Sequence, residues 1–306
     1  MQGRWRMIAI ILFAGISLLL MTCGKKHQID EIAYRQEIEE WHRQRIADLI
    51  RPDGWLTLVG LHWLKEGANP FGSDSSNAIV FPPKVPAFMG TFYLRNGLVT
   101  VKIRPGVSVY YQDQPVDSLE LQHDLTGEPT ILSHGTLQWY IIKRGDRYAV
   151  RIKDSESPVR IHFKGIERFP VDSRWRLRAR FEPYQPPRTI DVPTVLGTTV
   201  SEPCPGRLVF EWEGKTYALD VIQEKPIDPL FILFGDQTNG QETYGGGRFL
   251  YADPPDASGF TVLDFNRAYN PPCAFTPYAT CPLPPAQNQL PFAVRAGEKA
   301  YGDAHH

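Results

Sequence analysis

The residues of this chain best suited to chemistry are acids placed at the ends of apolar runs. FILFGD ends on Asp236, TVLDFN carries Asp264, and Glu298 follows in RAGEK. A pair among them would supply a general acid and a general base, provided that two carboxyls face one space. Arg248 stands after three glycines and opens a third apolar run, RFLYAD. Antiparallel neighbours bring such strand ends together, and a buried acid needs a counter-charge of this kind. The dozen residues 264–275, DFNRAYNPPCAF, add Asn266, Tyr269, Asn270 and Cys273 to the same region. Two readings stand open. The cluster holds a small polar or anionic ligand, or it is a polar knot that fastens the C-terminal tail through asparagine-to-backbone bonds.

Other reactive arrangements are missing. There is no GxSxG and no HExxH, and His62, His123, His134 and His162 are scattered singly. Glycines before Arg248 would cradle a phosphate only at a helix N-terminus, whereas RFLYAD reads as a strand, so they make a turn or bulge. No metal and no cofactor is expected. In residues 174–181, RWRLRARF, strict alternation puts Arg174, Arg176, Arg178 and Arg180 on one face of a strand. Those arginines either pair with acids on neighbouring strands, such as Asp154, Glu156 or Glu167, or act together on an extended anion.

The segments GWLTLVGLHWLKEGANPFGSD, FGDQTNGQETYGGGRFL, LDFNRAYNPPCAF and CPLPPAQNQLPFAVRAGEK occur in this order between Gly54 and Lys299. Together they resemble the bacterial domain-of-unknown-function family 1684. The resemblance implies no activity, cofactor or fold. It does mark Asp236, Glu298, Cys273 and Cys281, and, as candidates for ligand binding, Thr238, Thr243, Tyr244, Arg248, Asp264, Asn266, Tyr269, Asn270 and Asn288.

A scaffold must position these residues, and 27 prolines and 25 glycines favour short strands over long helices. The expected fold class is mainly β, with antiparallel sandwich or barrel-like sheets and one N-terminal amphipathic helix. That helix falls within residues 29–50, where Ile32, Ile38, Trp41, Ile46 and Leu49 recur at helical intervals. Strands are expected at 77–81, 91–94, 98–103 and 107–111, with turns at Asn96-Gly97 and at Pro105-Gly106. Further hairpins turn at Arg144-Gly145-Asp146 and at Glu213-Gly214-Lys215. Residues 54–128 read as a small β-subdomain, and 129–302 as the main antiparallel domain with a Pro-rich C-terminal loop. The string FGSDSSNAIVFPPKVPAFMGTFYLRNG in the first loosely resembles the start of forkhead-associated domains, β-sandwiches that read phosphothreonine. Phe71-Gly72-Ser73 and Phe88-Met89 replace that family's binding residues, so only the fold would carry over.

The N-terminus supplies an address. Arg4 and Arg6 precede an apolar run at 7–21, too short for a comfortable membrane span, and Leu20-Met21-Thr22-Cys23 resembles a bacterial lipobox. Residues 1–22 are therefore expected to be a lipoprotein signal peptide and 23–53 the anchor and helix. Cys23 is the expected lipidation site, and the protein is expected to be exported and held at the cell envelope. Gly24 points by resemblance to the outer membrane. Cleavage before Cys23 leaves 31 bases against 34 acids, a formal charge of −3, which gives no basis for nucleic-acid binding. In an oxidising compartment Cys273 and Cys281 can pair across their short loop. Free thiols and zinc are the rivals, but no CxxC or nearby histidine completes a zinc site. Cys204, between two prolines, is left as a buried or free thiol.

Overall fold

The computed structural model describes residues 30–302; the expected signal peptide and Cys23 lie outside the described residues. Helix α1 (Glu31–Leu49) starts at Asp30, whose Oδ1 accepts the amides of Ile32 at 3.0 Å and Ala33 at 3.2 Å. These bonds satisfy donors that the first turn leaves open. The face that α1 buries is largely the expected one: Ile38 and Leu49 are buried and Trp41 and Ile46 half-buried, with Ile32 the exception. Ile32 is 72% exposed, while Tyr34, Ile38, His42 and Leu49 are buried.

The first β unit comprises β1 (Leu58–Trp63), β2 (Gly67–Gly72), β3 (Ile79–Val80), β4 (Gly90–Arg95), β5 (Leu98–Ile103), β6 (Tyr110–Tyr111), β7 (Gln114–Pro115), β8 (Ser118–Leu121), β9 (Leu132–His134), β10 (Leu137–Arg144) and β11 (Arg147–Asp154). They form two sheets, ordered β3-β2-β4-β5-β8 and β1-β11-β10-β9-β6-β7. Every pairing is antiparallel except β2 with β3. The turn between β4 and β5 has Asn96 and Gly97 at φ 51 and 80, the two positive values that a tight hairpin turn demands. Phe71, Phe92 and Val101 from one sheet meet Trp139, Ile141 and Ile152 from the other in a single core. This core runs well past residue 128, so the hairpin β10–β11, expected in the second unit, packs with the first.

A short helix, α2 (Pro158–Ile161), leads into the second unit. Its strands are β12 (Arg176–Pro193), β13 (Thr199–Trp212), β14 (Lys215–Val221), β15 (Leu230–Phe234), β16 (Arg248–Ala252) and β17 (Phe260–Asp264). They form a sheet ordered β14-β13-β12-β17 and a separate hairpin, β15-β16. Trp175, Leu208, Phe210, Phe234, Leu263 and Phe265 fill the core between them. The C-terminal segment crosses this core without becoming a strand, bonded as Gly235 N to Asn288 O (3.0 Å), Leu290 N to Gly235 O (2.8 Å) and Glu298 N to Ala268 O (2.8 Å).

The glycines before Arg248 make the expected turn. Gly247 has φ +79, and a Cβ there would stand 2.3 Å from Pro284 Cγ, so the turn is glycine-bound both by conformation and by the Pro-rich segment against it. Cys273 and Cys281 form a disulfide, with Cα atoms 6.1 Å apart, and Cys204 is a buried free thiol. The arginine stripe is paired, but with other acids than those expected. Arg174 meets Asp172, Arg176 meets Glu37 of α1, Arg180 meets Glu182, and the Arg178 guanidinium lies 3.5 Å from the Phe260 ring centroid. Arg174 itself precedes β12, in a 3-10 turn.

Candidate functional site

Asp236 lies two residues beyond β15, and Arg248, the first residue of β16, pairs in register with Phe234 at the end of β15. Their side chains are wholly buried and meet at 2.8 Å (Arg248 Nη2 to Asp236 Oδ2). The guanidinium also donates to the carbonyls of Val294 (2.8 Å) and Ala296. Asp236 Oδ1 accepts from the Thr238 amide (2.8 Å), the Thr238 hydroxyl (2.6 Å) and the Val294 amide (3.1 Å). The Thr243 and Thr238 hydroxyls bond at 2.8 Å and close the 236–243 loop, with Tyr244 half-buried beside it. Burial pulls the Arg248 pKa down, and Asp236 opposes this. An ion pair so completely wrapped by backbone fastens the tail to the β15–β16 hairpin.

Two asparagines act in the same way. Asn288 Nδ2 donates to the carbonyls of Asp220 and Leu233, both at 2.9 Å, and its Oδ1 accepts the Asp220 amide at 2.8 Å, so the side chain bridges β14 and β15 as a peptide would. Asn270 donates its amide to Glu298 Oε2 (2.7 Å) and its Nδ2 to Lys299 O (2.7 Å). Glu298 is fully buried; burial raises its pKa, and Arg45 of α1, with Nε 3.3 Å from Oε1, works against that rise. Arg45 also donates to Asn270 O at 2.9 Å.

Asp264 closes β17 and faces α1. Tyr34 donates its hydroxyl to the carboxylate, 2.8 Å from Oδ1 and 2.9 Å from Oδ2, and the Asn266 amide adds a bond at 3.1 Å. Asn266 Nδ2 reaches Tyr34 Oη (2.8 Å) and Asp172 O (2.9 Å). Burial nevertheless outweighs these donors and raises the Asp264 pKa. Arg176 stands 4.0 Å from the same carboxylate.

Unlike Asp236 and Glu298, Asp264 borders open space. A cleft of about 500 Å³ lies between α1 and the ends of β16 and β17. Glu37, Trp41 and Arg45 form its helical wall, and Tyr251, Val262 and Tyr269 its sheet side. Tyr251 and Tyr269 stack with centroids 6.3 Å apart, Trp41 lies 6.5 Å from Tyr269, and the Arg45 guanidinium sits 4.7 Å from the Tyr269 centroid. Glu37 bridges Arg176 (3.3 Å) and Arg267. The cleft therefore offers aromatic faces, donors and acceptors around one partly desolvated carboxyl, the composition of a small-ligand site.

Of the candidate residues, Asp264 and Tyr269 line the cleft. Asn266 positions Asp264 from behind. Asp236, Thr238, Thr243, Arg248, Asn270, Asn288 and Glu298 are enclosed in protein. The three candidate carboxylates thus face no common space: Asp236 and Glu298 both neighbour the buried Arg248, which also donates to Glu298 O at 3.4 Å, and Asp264 stands apart beside Tyr34. Trp41 and Arg45 as cleft-lining groups, Tyr34 as the partner of Asp264, and Tyr251 were not anticipated; the contacts of Trp41 and Arg45 with the 269–270 segment and of Tyr34 with Asp264 join positions more than 200 residues apart, and a short sequence pattern carries no trace of that. Among the described residues, no group of three or more His, Cys, Asp or Glu side chains is arranged to hold a metal, and no helix is long and apolar enough to cross a membrane.

Residues 161–299 match the family described as "Protein of unknown function (DUF1684)". The chain is also similar to the uncharacterized protein from gene locus rrnAC0354 of Haloarcula marismortui, known from a solution NMR structure. The two are 33% identical over 48% of this chain and 81% of that one, with a TM-score of 0.40. No curated protein matches.

Proposed function

Because the chain belongs, through residues 161–299, to the DUF1684 family, whose description assigns no activity, we propose a function from its own geometry: it binds a small polar ligand in the cleft beneath α1. The observation that carries this reading is that Asp264, bonded to Tyr34 and desolvated, opens onto a space walled by Trp41, Tyr251 and Tyr269. Aromatic rings supply contact area, and the arginines and acids orient polar groups. The buried pair Asp236–Arg248 and the Glu298–Arg45 pair hold the walls in place.

The proposal includes the cellular setting. The protein works at the cell envelope, exported and tethered by a lipid on Cys23, with the outer membrane as its site. The lipobox-like Leu20-Met21-Thr22-Cys23 and the Cys273–Cys281 disulfide, which belongs in an oxidising compartment, support this setting. Export leaves no role for nucleic acid.

A thermal-shift screen of the full chain in detergent, with amino acids, nucleosides and sugars as separate pools, tests the binding reading. One pool is expected to raise Tm for the parent and not for Tyr251→Ala, since only a ligand of the folded state stabilises it. Equal shifts in both proteins, or none with any pool, would overturn the cleft as the site.

A further inference from the structure

The cleft does not end at the Glu37–Arg176 pair. Beyond that pair lies a second, wider space of about 1260 Å³, and the two share Glu37, Arg176, Asp253 and Val262 as lining residues. On the helix side, Asp30, Ala33, Glu37, Trp41, Arg45 and Asp48 follow one another along a single face. At 1.5 Å rise per residue that face spans roughly 27 Å. The compartments are thus two parts of one long groove, crossed at its middle by an ion pair.

We infer that this groove takes a linear, uncharged, hydroxyl-rich saccharide chain, an inference that rests on the cleft being the ligand site. Its floor presents apolar surface that a packed core would have covered: Val262 is 43% exposed and Tyr251 is 50% exposed. Such faces suit the CH side of sugar rings. Along the rim, three of the four arginines are paired with acids, Arg176 and Arg267 with Glu37 and Arg45 with Glu298, and Arg178 lies over the Phe260 ring. An occupant therefore meets donors and acceptors together with no excess positive charge, and acids outnumber arginines along the walls. Hydroxyls both donate and accept, so they can bridge such pairs without breaking them. A polyanion would face the surplus acids, and an acyl chain would have to lie across the Glu37–Arg176 pair. A peptide adding as a strand would need the free edge of β17, but that edge is turned toward β16, with Thr261 Oγ1 donating to Asp253 O at 2.8 Å.

Isothermal titration of the full chain in detergent tests this with cellopentaose and the N-acetylglucosamine pentamer as probes, their monosaccharides for chain length, and tetra-alanine and spermine as competitors of other chemistry. At least one pentamer is expected to bind saturably, at least roughly tenfold tighter than its monosaccharide. Tyr251→Ala and Trp41→Phe are expected to weaken it roughly tenfold, and Trp63→Ala on the first β unit to leave it unchanged. Tyr251 is half exposed, so its truncation leaves the fold intact, which the unfolding transition checks. If tetra-alanine or spermine binds in a Tyr251-dependent way while both pentamers stay silent, the saccharide falls and the cleft reading stands. Pentamer binding that ignores Tyr251 and Trp41 overturns both, and silence from every probe overturns the saccharide alone.

Discussion

The hydroxyl of Tyr34, in the helix that opens the described chain, lies 2.8 Å and 2.9 Å from the two oxygens of Asp264, 230 residues later. Only a few side chains anchor α1 by burial, so this bond, the Arg45–Glu298 pair and the Glu37 bridges do much of the work of docking the helix. The helix in turn makes one wall of the cleft. Loss of its polar anchors should loosen the site before it unfolds the sheets.

Tyr34→Phe removes the donor and leaves the Asp264 carboxyl short of a partner. A cost of about 1–3 kcal/mol is expected for a buried acceptor left unsatisfied. Urea unfolding should show a lower midpoint with an unchanged slope.

Asp264 gives stability a pH dependence of known sign. Its folded pKa lies above the ordinary 3.8, so the native state holds the proton more tightly than the unfolded chain. Its contribution is present below 3.8 and is lost as pH rises through the folded value. Glu298, also raised, acts in the same direction from its ordinary 4.5. Unfolding free energies from pH 4 towards neutrality should therefore fall more steeply for the parent than for Asp264→Asn.

Breaking the Asp236–Arg248 pair on one side leaves a buried charge alone. Arg248→Met is expected to cost about 3–5 kcal/mol. Replacing both partners by apolar residues should recover part of that loss in guanidinium-induced unfolding, since no lone charge then remains.

Reducing the Cys273–Cys281 disulfide frees a loop whose ends are eight residues apart. Loop-closure entropy sets the cost at ~2–3 kcal/mol. A Tm measured with and without a phosphine reductant should drop accordingly, and a Cys273→Ser/Cys281→Ser protein should match the reduced form.

Much of the scaffold was legible in the sequence because its signals are local. Asn96-Gly97 and Glu213-Gly214 fix hairpins through backbone conformations that few residues adopt, and the proline at position 52 and Gly54 end the helix. Most of the helix face was legible too, with Ile38 and Leu49 buried and Trp41 and Ile46 half-buried; what the apolar spacing did not mark were the buried polar residues Tyr34 and His42, and Ile32 stays exposed. The boundary placed at residue 128 missed that Trp139 and Ile152 complete the core begun by Phe71. At the site, the polar residues in 236–298 were expected to converge on one space, but burial divides them. Arg248 and Asn288 serve the tail, whereas Asp264 and Tyr269 reach open space, a division set by α1 and by the path of the tail across the core.

Whether the space beneath α1 receives the ligand can be read from the tryptophan indole resonances of the isotope-labelled full chain during titration with the stabilising compound. The Trp41 indole signal is expected to move and saturate, while those of Trp63 and the buried Trp139 stay in place. A Trp41 signal that stays still while the compound binds would contradict binding in that space.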